Sequence, residues 1–240
     1  MSHKVIAIVP SSGLGRRFGS DANKPFQILG GKPLVVWALE ALESVDAIEE
    51  IIPVLRKEDV ERGIEVFRSY NISKTKRVAA GGKERQDSVY NGLKLIGDKN
   101  CIVLIHDGVR PFIEKDLIEK VIKELLKGGK GGLKSFDGVV LGVPVKDTIK
   151  EAGSGIIRRT IKRDSLWAIQ TPQVFPYKKI SAAYKKSIKE GFYSTDDAAL
   201  MERYGGKIKV IMGSYSNIKI TTPDDLIFAE YLLSKKVNFE

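Results

Sequence analysis

The chain has 240 residues, 42% of them hydrophobic, so it can bury a sizeable core within the usual span of one domain. One cysteine, Cys101, excludes an intrachain disulfide, and with only His3 and His106 beside it a zinc site of Cys and His spacing is excluded too. The formal charge of +10 raises the question of an anionic partner, while apolar runs of strand length only, and no leader pattern after Met1, predict a soluble, cytoplasmic protein without a membrane partner.

Taken in chain order, strand-like apolar runs fall at residues 5–9, 51–55, 77–80, 102–105, 139–145, 167–169 and 208–212. Helix-period segments lie between most of them. Residues 33–42 begin with Pro33 at a plausible first helical position, and 85–95 and 113–126 carry apolar residues at three-and-four spacing. Strands alternating with helices predict a single α/β domain over 1–240, Rossmann-like and doubly wound, with a mostly parallel sheet. In such a sheet ligands sit beyond the carboxyl ends of the strands, which singles out the loops after Val9, Ala80 and Ile105. The alternation falters between 138 and 173. Two extended segments, ending at Lys150 and starting at Ile156, flank a Gly-Ser-Gly turn and predict a projecting β-hairpin arm at about 144–165. The stretch 127–134, rich in Gly and Lys, reads as a surface connection.

The positive charge is spread through helix-like segments among glutamates, as over residues 114–124, which reads as solvated helix faces with local ion pairs. No nucleic-acid-binding motif accompanies it, so no nucleic-acid partner is expected. A small phosphorylated ligand wants the same charge. The loop after the first strand, Pro10-Ser-Ser-Gly-Leu-Gly-Arg-Arg-Phe-Gly19, supplies it locally. A dinucleotide fingerprint needs Gly or Ala where Phe18 stands, and a P-loop needs Gly-Lys-Ser/Thr where Asn23-Lys24-Pro25 stands. Neither pattern fits. What remains is a polyphosphate cradle of another kind, in which Gly13 and Gly15 let backbone N–H groups approach an anion while Arg16, Arg17 and Lys24 add full charges.

That opening, with Lys24-Pro25, resembles the nucleotidyltransferases that couple a sugar or polyol phosphate to a nucleoside triphosphate. Further segments follow in the order seen in the 2-C-methyl-D-erythritol 4-phosphate cytidylyltransferase family: Gly81-Gly-Lys-Glu-Arg-Gln-Asp-Ser-Val89, His106-Asp-Gly-Val-Arg-Pro111, Val143-Pro-Val-Lys-Asp-Thr148, Leu166-Trp-Ala-Ile-Gln-Thr-Pro-Gln173, Ser194-Thr-Asp-Asp-Ala198 and Asn217-Ile-Lys-Ile-Thr-Thr-Pro-Asp-Asp-Leu226. They span nearly the whole chain. Departures are Ser11 and Ser12 where the family often has alanine, and Pro25-Phe26-Gln27 where it has Gln and an aromatic after the lysine.

The resemblance implies attack of the 4-phosphate of methylerythritol phosphate on the α-phosphorus of CTP, with Mg²⁺ as cofactor. It implies Arg17, Lys24 and Lys219 as catalytic groups, and Pro10, Ser11, Ser12, Gly13, Gly15, Gly82, Lys83, Ser88, Asp107 and Gly108 as the nucleotide site, with Asp107 also the metal ligand. Arg110, Thr148, Arg163, Thr171 and Thr195 are then the polyol-phosphate site, and the arm, carrying Thr148 and Arg163 on its two extended segments, reaches into the neighbour's site across a homodimer with arm exchange. A related cytidylyltransferase acting on another polyol phosphate, such as ribitol 5-phosphate, shares the cradle and the His-Asp pair. On the residues alone, Asp107 also suits a turn before Gly108, Thr195 suits a helix N-cap before Asp196-Asp197, Thr222 is explained wholly as one, and Asp87 as an orienter of its turn. Lys219 is expected in a short strand over 217–220, pointing away from Ile218 and Ile220.

Overall fold

The structure is a computed structural model that describes residues 4–13, 23–128 and 136–237. Its frame is a seven-stranded sheet built from β1 (Val5–Pro10), β4 (Ile48–Leu55), β5 (Ala79–Ala80), β6 (Ile102–Ile105), β7 (Gly138–Pro144), β10 (Trp167–Pro176) and β11 (Ile208–Met212), in the order β11-β7-β10-β6-β1-β4-β5. Two short strands, β2 (Ile28–Leu29) and β3 (Lys32–Pro33), pair with each other, as do β8 (Ile149–Gly153) and β9 (Ile156–Ile161). The helices are α1 (Leu34–Glu43), α2 (Val60–Ser69), α3 (Arg85–Leu95), α4 (Lys115–Gly128), α5 (Tyr177–Lys189), α6 (Asp197–Arg203) and α7 (Pro223–Val237).

The unbroken apolar run of β1 follows from its central position. Val5, Ala7 and Val9 face one core layer with α1 and α4, whereas Ile6 and Ile8 face a second layer with α3, α5 and α6. A strand buried on both faces has no polar alternation to show, and each of its valines and isoleucines contributes about 2 kcal/mol through burial. β1 runs parallel to both β4 and β6, so their carboxyl ends open on the same edge. The departure from a purely parallel sheet is β10, antiparallel to β6 and β7 alike.

Several sequence expectations shift. The third predicted strand shrinks to Ala79–Ala80, and 167–169 lengthens to Trp167–Pro176, whose pairing with β7 shifts register between Gln170 and Gln173, where Pro172 lacks a ladder N–H. Pro33 precedes helix α1 as its N-cap and is not its first residue. Residues 217–220 form no strand: the Ile218 N–H turns back on the Ser216 carbonyl, the Ile220 N–H bonds to the Val109 carbonyl, and no ladder follows. The hairpin of β8 and β9 is present, shorter than expected because β7 ends at Pro144. Thr148 lies just before β8, and Arg163 opens a 3-10 turn after β9, so neither is on an extended segment. The hairpin's own sheet leaves Ile156 and Ile157 at 72% and 60% exposure.

Candidate active site

Three loops meet at the carboxyl edge of β1, β6 and β5. The Ser11 N–H bonds to the Val54 carbonyl at 2.8 Å, continuing the β1–β4 ladder past Pro10. The Ser12 hydroxyl lies 2.7 Å from that of Ser88, at the start of α3, and the Ser88 oxygen also accepts from the Gly82 N–H at 3.1 Å. The glycines here are required by close approach. A Cβ on Gly108 would collide with the Ser11 side chain, and one on Gly81 with that of Ser12. Asp87 accepts the Glu84 N–H at 3.0 Å and so orients the turn into α3, as its sequence position suggests.

Asp107 is the electrostatic centre. It is 5% exposed, yet Arg85 Nε lies 3.1 Å from its Oδ1, and Lys219 Nζ and Arg110 Nε lie 3.0 and 3.5 Å from its Oδ2. Burial by itself raises a carboxyl pKa; the guanidinium of Arg85, the ammonium of Lys219 and Arg110 outweigh it and hold Asp107 well below the usual carboxylate range. Arg85 also binds Asp197, fully buried, at 2.9 Å, and Asp197 takes the Tyr184 hydroxyl on its other oxygen. Three cations against two carboxylates leave the cluster with one surplus positive charge, facing the sheet edge where an anionic ligand is expected.

The loop 106–110 is braced from β10. Because Gln173 pairs with Ile105, Thr171 lies beyond the strand end beside Asp107, whose N–H it accepts at 3.0 Å. The Thr171 hydroxyl then donates to His106 Nδ1 at 3.1 Å, and His106 Nε2–H donates to the Arg110 carbonyl at 3.2 Å. This relay requires a neutral imidazole, and burial pushes the His106 pKa down to about 4. In the unfolded chain the value is about 6.5, so below that pH the unfolded state takes up a proton that the folded state refuses. Stability is therefore expected to fall by roughly 3 kcal/mol as pH drops from about 6.5 to about 4. Urea unfolding across that range checks it: the slope should flatten in His106→Asn, and an unchanged slope would contradict the assignment.

The structure thus brings together Pro10, Ser11, Ser12, Gly82, Ser88, Asp107, Gly108, Arg110, Thr171 and Lys219. Gly13 follows them at the end of its described segment, open on the side a Cβ would occupy. Lys219 reaches the site from an irregular segment and not from the expected strand, held there by Asn217, whose carbonyl accepts from Arg110 Nη1 at 2.7 Å and whose Nδ2 donates to the Thr171 carbonyl at 2.9 Å. Lys83 is exposed on the 81–84 turn. Thr195 is exposed, and the N-cap of α6 is Asp196, which accepts the Ala199 N–H, so the capping expectation for Thr195 is corrected; that for Thr222 holds, its hydroxyl accepting the Asp225 N–H. The Arg163 guanidinium donates to the Lys146 carbonyl at the base of the hairpin. Gly15 and Arg17 lie outside the described residues. Sequence reading missed Arg85 and Asp197. Both sit inside the quoted motifs, but an ion pair across 112 residues leaves no local pattern.

Among the described residues no group of three or more His, Cys, Asp or Glu side chains could hold a metal ion. Asp107 offers an ionised carboxylate at the site. That suits Mg²⁺, which is commonly held by one or two carboxylates together with substrate phosphates and water.

The model of the family described as IspD, 2-C-methyl-D-erythritol 4-phosphate cytidylyltransferase, matches residues 5–235. The chain is similar to the 2-C-methyl-D-erythritol 4-phosphate cytidylyltransferase of Geotalea uraniireducens, with 42% identity over 240 residues, 99% of each chain. It is also similar to that of Clostridioides difficile, with 44% identity over 229 residues, 95% of this chain and 92% of the relative. Among solved structures, the 4-diphosphocytidyl-2C-methyl-D-erythritol synthase of Anaerococcus prevotii superimposes with a TM-score of 0.81 at 34% identity, over 97% of both chains.

Proposed function

The chain belongs to the 2-C-methyl-D-erythritol 4-phosphate cytidylyltransferase family, and from that premise we propose that it transfers the cytidylyl group of CTP to 2-C-methyl-D-erythritol 4-phosphate, releasing pyrophosphate and forming 4-diphosphocytidyl-2-C-methyl-D-erythritol for non-mevalonate isoprenoid synthesis. The names of the relatives favour this acceptor over ribitol 5-phosphate. The observation that carries the chemistry is the cation cluster at Asp107. Two anions must meet, and charge grows on the oxygens around the α-phosphorus and on the leaving pyrophosphate as they react.

In this reading the backbone at Pro10, Ser11, Ser12, Gly13 and Gly15, the 82–83 turn with Lys83, Gly108 and the Ser88 hydroxyl form the nucleotide site, with the serine hydroxyls and backbone groups able to satisfy both donors and acceptors on cytosine. Lys24 and Arg17 hold the triphosphate and stabilise its developing charge. Asp107 would hold Mg²⁺, which when bound supplies Lewis-acid neutralisation of the phosphate oxygens. Lys219, with Arg110, Thr171 and Thr195, positions the acceptor. A phosphate monoester, with a second pKa near 6, arrives largely dianionic, so one of its oxygens attacks without a protein base.

The exposed hairpin supports a further part of the reading. Its apolar Ile156 and Ile157 favour burial against a second subunit, which would bring Thr148 and Arg163 to the neighbour's site in a cytoplasmic homodimer. Mixing Arg163→Ala with Lys24→Ala enzyme should then restore activity through hybrid dimers; no recovery despite demonstrated subunit exchange would count against the shared site. The function itself is tested by pyrophosphate release with CTP, Mg²⁺ and methylerythritol 4-phosphate, beside ribitol 5-phosphate as acceptor and UTP and ATP as donors. Faster turnover of ribitol phosphate would overturn the acceptor, and equal use of UTP the base assignment.

A further inference from the structure

We infer that Asp59 is a positioning residue that holds Lys24 in place before nucleotide arrives, an inference that rests on the role proposed for Lys24. Asp59 ends a 3-10 turn over Lys57–Asp59 that runs straight into α2, and its own backbone is helical (φ −98°, ψ −3°), so its carboxylate is not placed to cap that helix. Its side chain makes no capping bond. Instead Oδ1 accepts from Asn23 Nδ2 at 2.5 Å, across 36 residues of chain, and Oδ2 accepts from Arg56 Nε at 2.7 Å. Asp59 is 7% exposed, so both bonds are largely shielded from water.

Asn23 in turn closes the 3-10 turn Lys24–Phe26, its carbonyl accepting the Phe26 N–H at 2.9 Å, while the Lys24 carbonyl accepts from Gln27 at 3.1 Å. The far side of the turn is gripped by the same helix. Phe26 is 6% exposed within the core layer of α1, and the guanidinium of Arg62, on α2, lies over its ring at 4.6 Å. Arg56 stands directly after β4, the neighbour of β1, so the anchor refers the Lys24 backbone to the central sheet. A cation that stabilises a transition state is effective in proportion to how little it must reorganise. Asp59 thus fixes, through Asn23 36 residues away, the turn that carries such a cation.

The test is kinetic and structural. Asp59→Ala should lower kcat by roughly 10- to 100-fold, the scale of a small misplacement of a catalytic group. KM for CTP should change far less, and Asp59→Asn, which keeps an acceptor for Asn23, should retain most activity. In a Lys24→Ala background Asp59→Ala should cost nothing further, since residues acting as a unit are non-additive. Equal losses in both backgrounds would overturn the inference. A readout free of turnover is hydrogen exchange at the Phe26 and Gln27 amides, which should accelerate at least about tenfold in Asp59→Ala at unchanged global stability; unchanged exchange overturns the inference whatever the activity. Asn23→Ala leaves the Asp59–Arg56 pair intact and carries the same expectations if Asp59→Ala fails to fold. Wild-type enzyme inactive with CTP and methylerythritol phosphate sinks the proposed function, whereas active wild type with additive variants sinks only the positioning role.

Discussion

Replacing Lys24 with alanine is expected to lower kcat/KM for cytidylyl transfer by roughly 10³-fold, the upper range for losing one preorganised charge or donor at a developing anion. Most of the loss should fall on kcat, because the additional charge that builds on the departing pyrophosphate is present in the transition state and not in bound CTP. Lys24→Arg should recover only a small part, since a planar guanidinium does not reproduce the compact ammonium in a turn fixed by Asn23 and a buried Phe26. Steady-state pyrophosphate release checks both variants. A fall below about tenfold, or one confined to KM for CTP, would mean that Lys24 binds substrate and transition state alike.

Asp107→Asn should damage stability and turnover together. The carboxylate is ion-paired to Arg110, whose side chain is 10% exposed, and to Arg85, so neutralising it leaves a buried guanidinium without its counter-charge; Arg85 keeps Asp197. Removing one partner of a buried pair costs about 3 kcal/mol or more, and chemical unfolding at neutral pH should show a loss of that size. The sign of the pH dependence follows from the depressed pKa of Asp107. Its stabilising contribution is complete above the unfolded-state value near 3.9 and is lost as pH falls below that, so wild type and Asp107→Asn should converge in stability toward strong acid. Turnover should fall by at least roughly 10²-fold, because the site loses the carboxylate proposed for Mg²⁺ and the partner of Lys219. A variant with wild-type stability would show the cluster to be loosely held, and one with wild-type turnover would remove Asp107 from the reaction.

The frame of the molecule was legible because the strands of the parallel core announce themselves as apolar runs, and helices α1, α3 and α4 by their three-and-four spacing. β10 was read only in part. Pro172 and Pro176 interrupt its pattern, and nothing local says that it runs against both neighbours. The loops after β1, β5 and β6 stand out in the sequence as the candidate site because the edge of such a sheet is where ligands bind, and the structure brings Ser12 to Ser88 and Ser11 to Gly108 across them. What the sequence hid are pairings over long separations. Arg85 with Asp197, Asn217 with Thr171 and Asp59 with Asn23 each join residues whose spacing carries no period, and only the packed fold brings them within bonding distance. Lys219 is expected on a strand from the alternation of Ile218, Lys219 and Ile220, but its segment is irregular: the Ile218 N–H bonds to the Ser216 carbonyl and the Ile220 N–H to that of Val109, with no ladder.

In the proposed reaction an oxygen of the acceptor's phosphate attacks the phosphorus of the transferred cytidylyl group and pyrophosphate leaves with its own oxygens, the protein supplying charge and position. Methylerythritol 4-phosphate labelled with ¹⁸O on its three non-bridging phosphate oxygens tests it. All three labelled oxygens should appear in the diphosphate product, one of them bridging the two phosphorus atoms, and the pyrophosphate released should carry none. Label in pyrophosphate, or unlabelled oxygen in the bridge, would contradict the account.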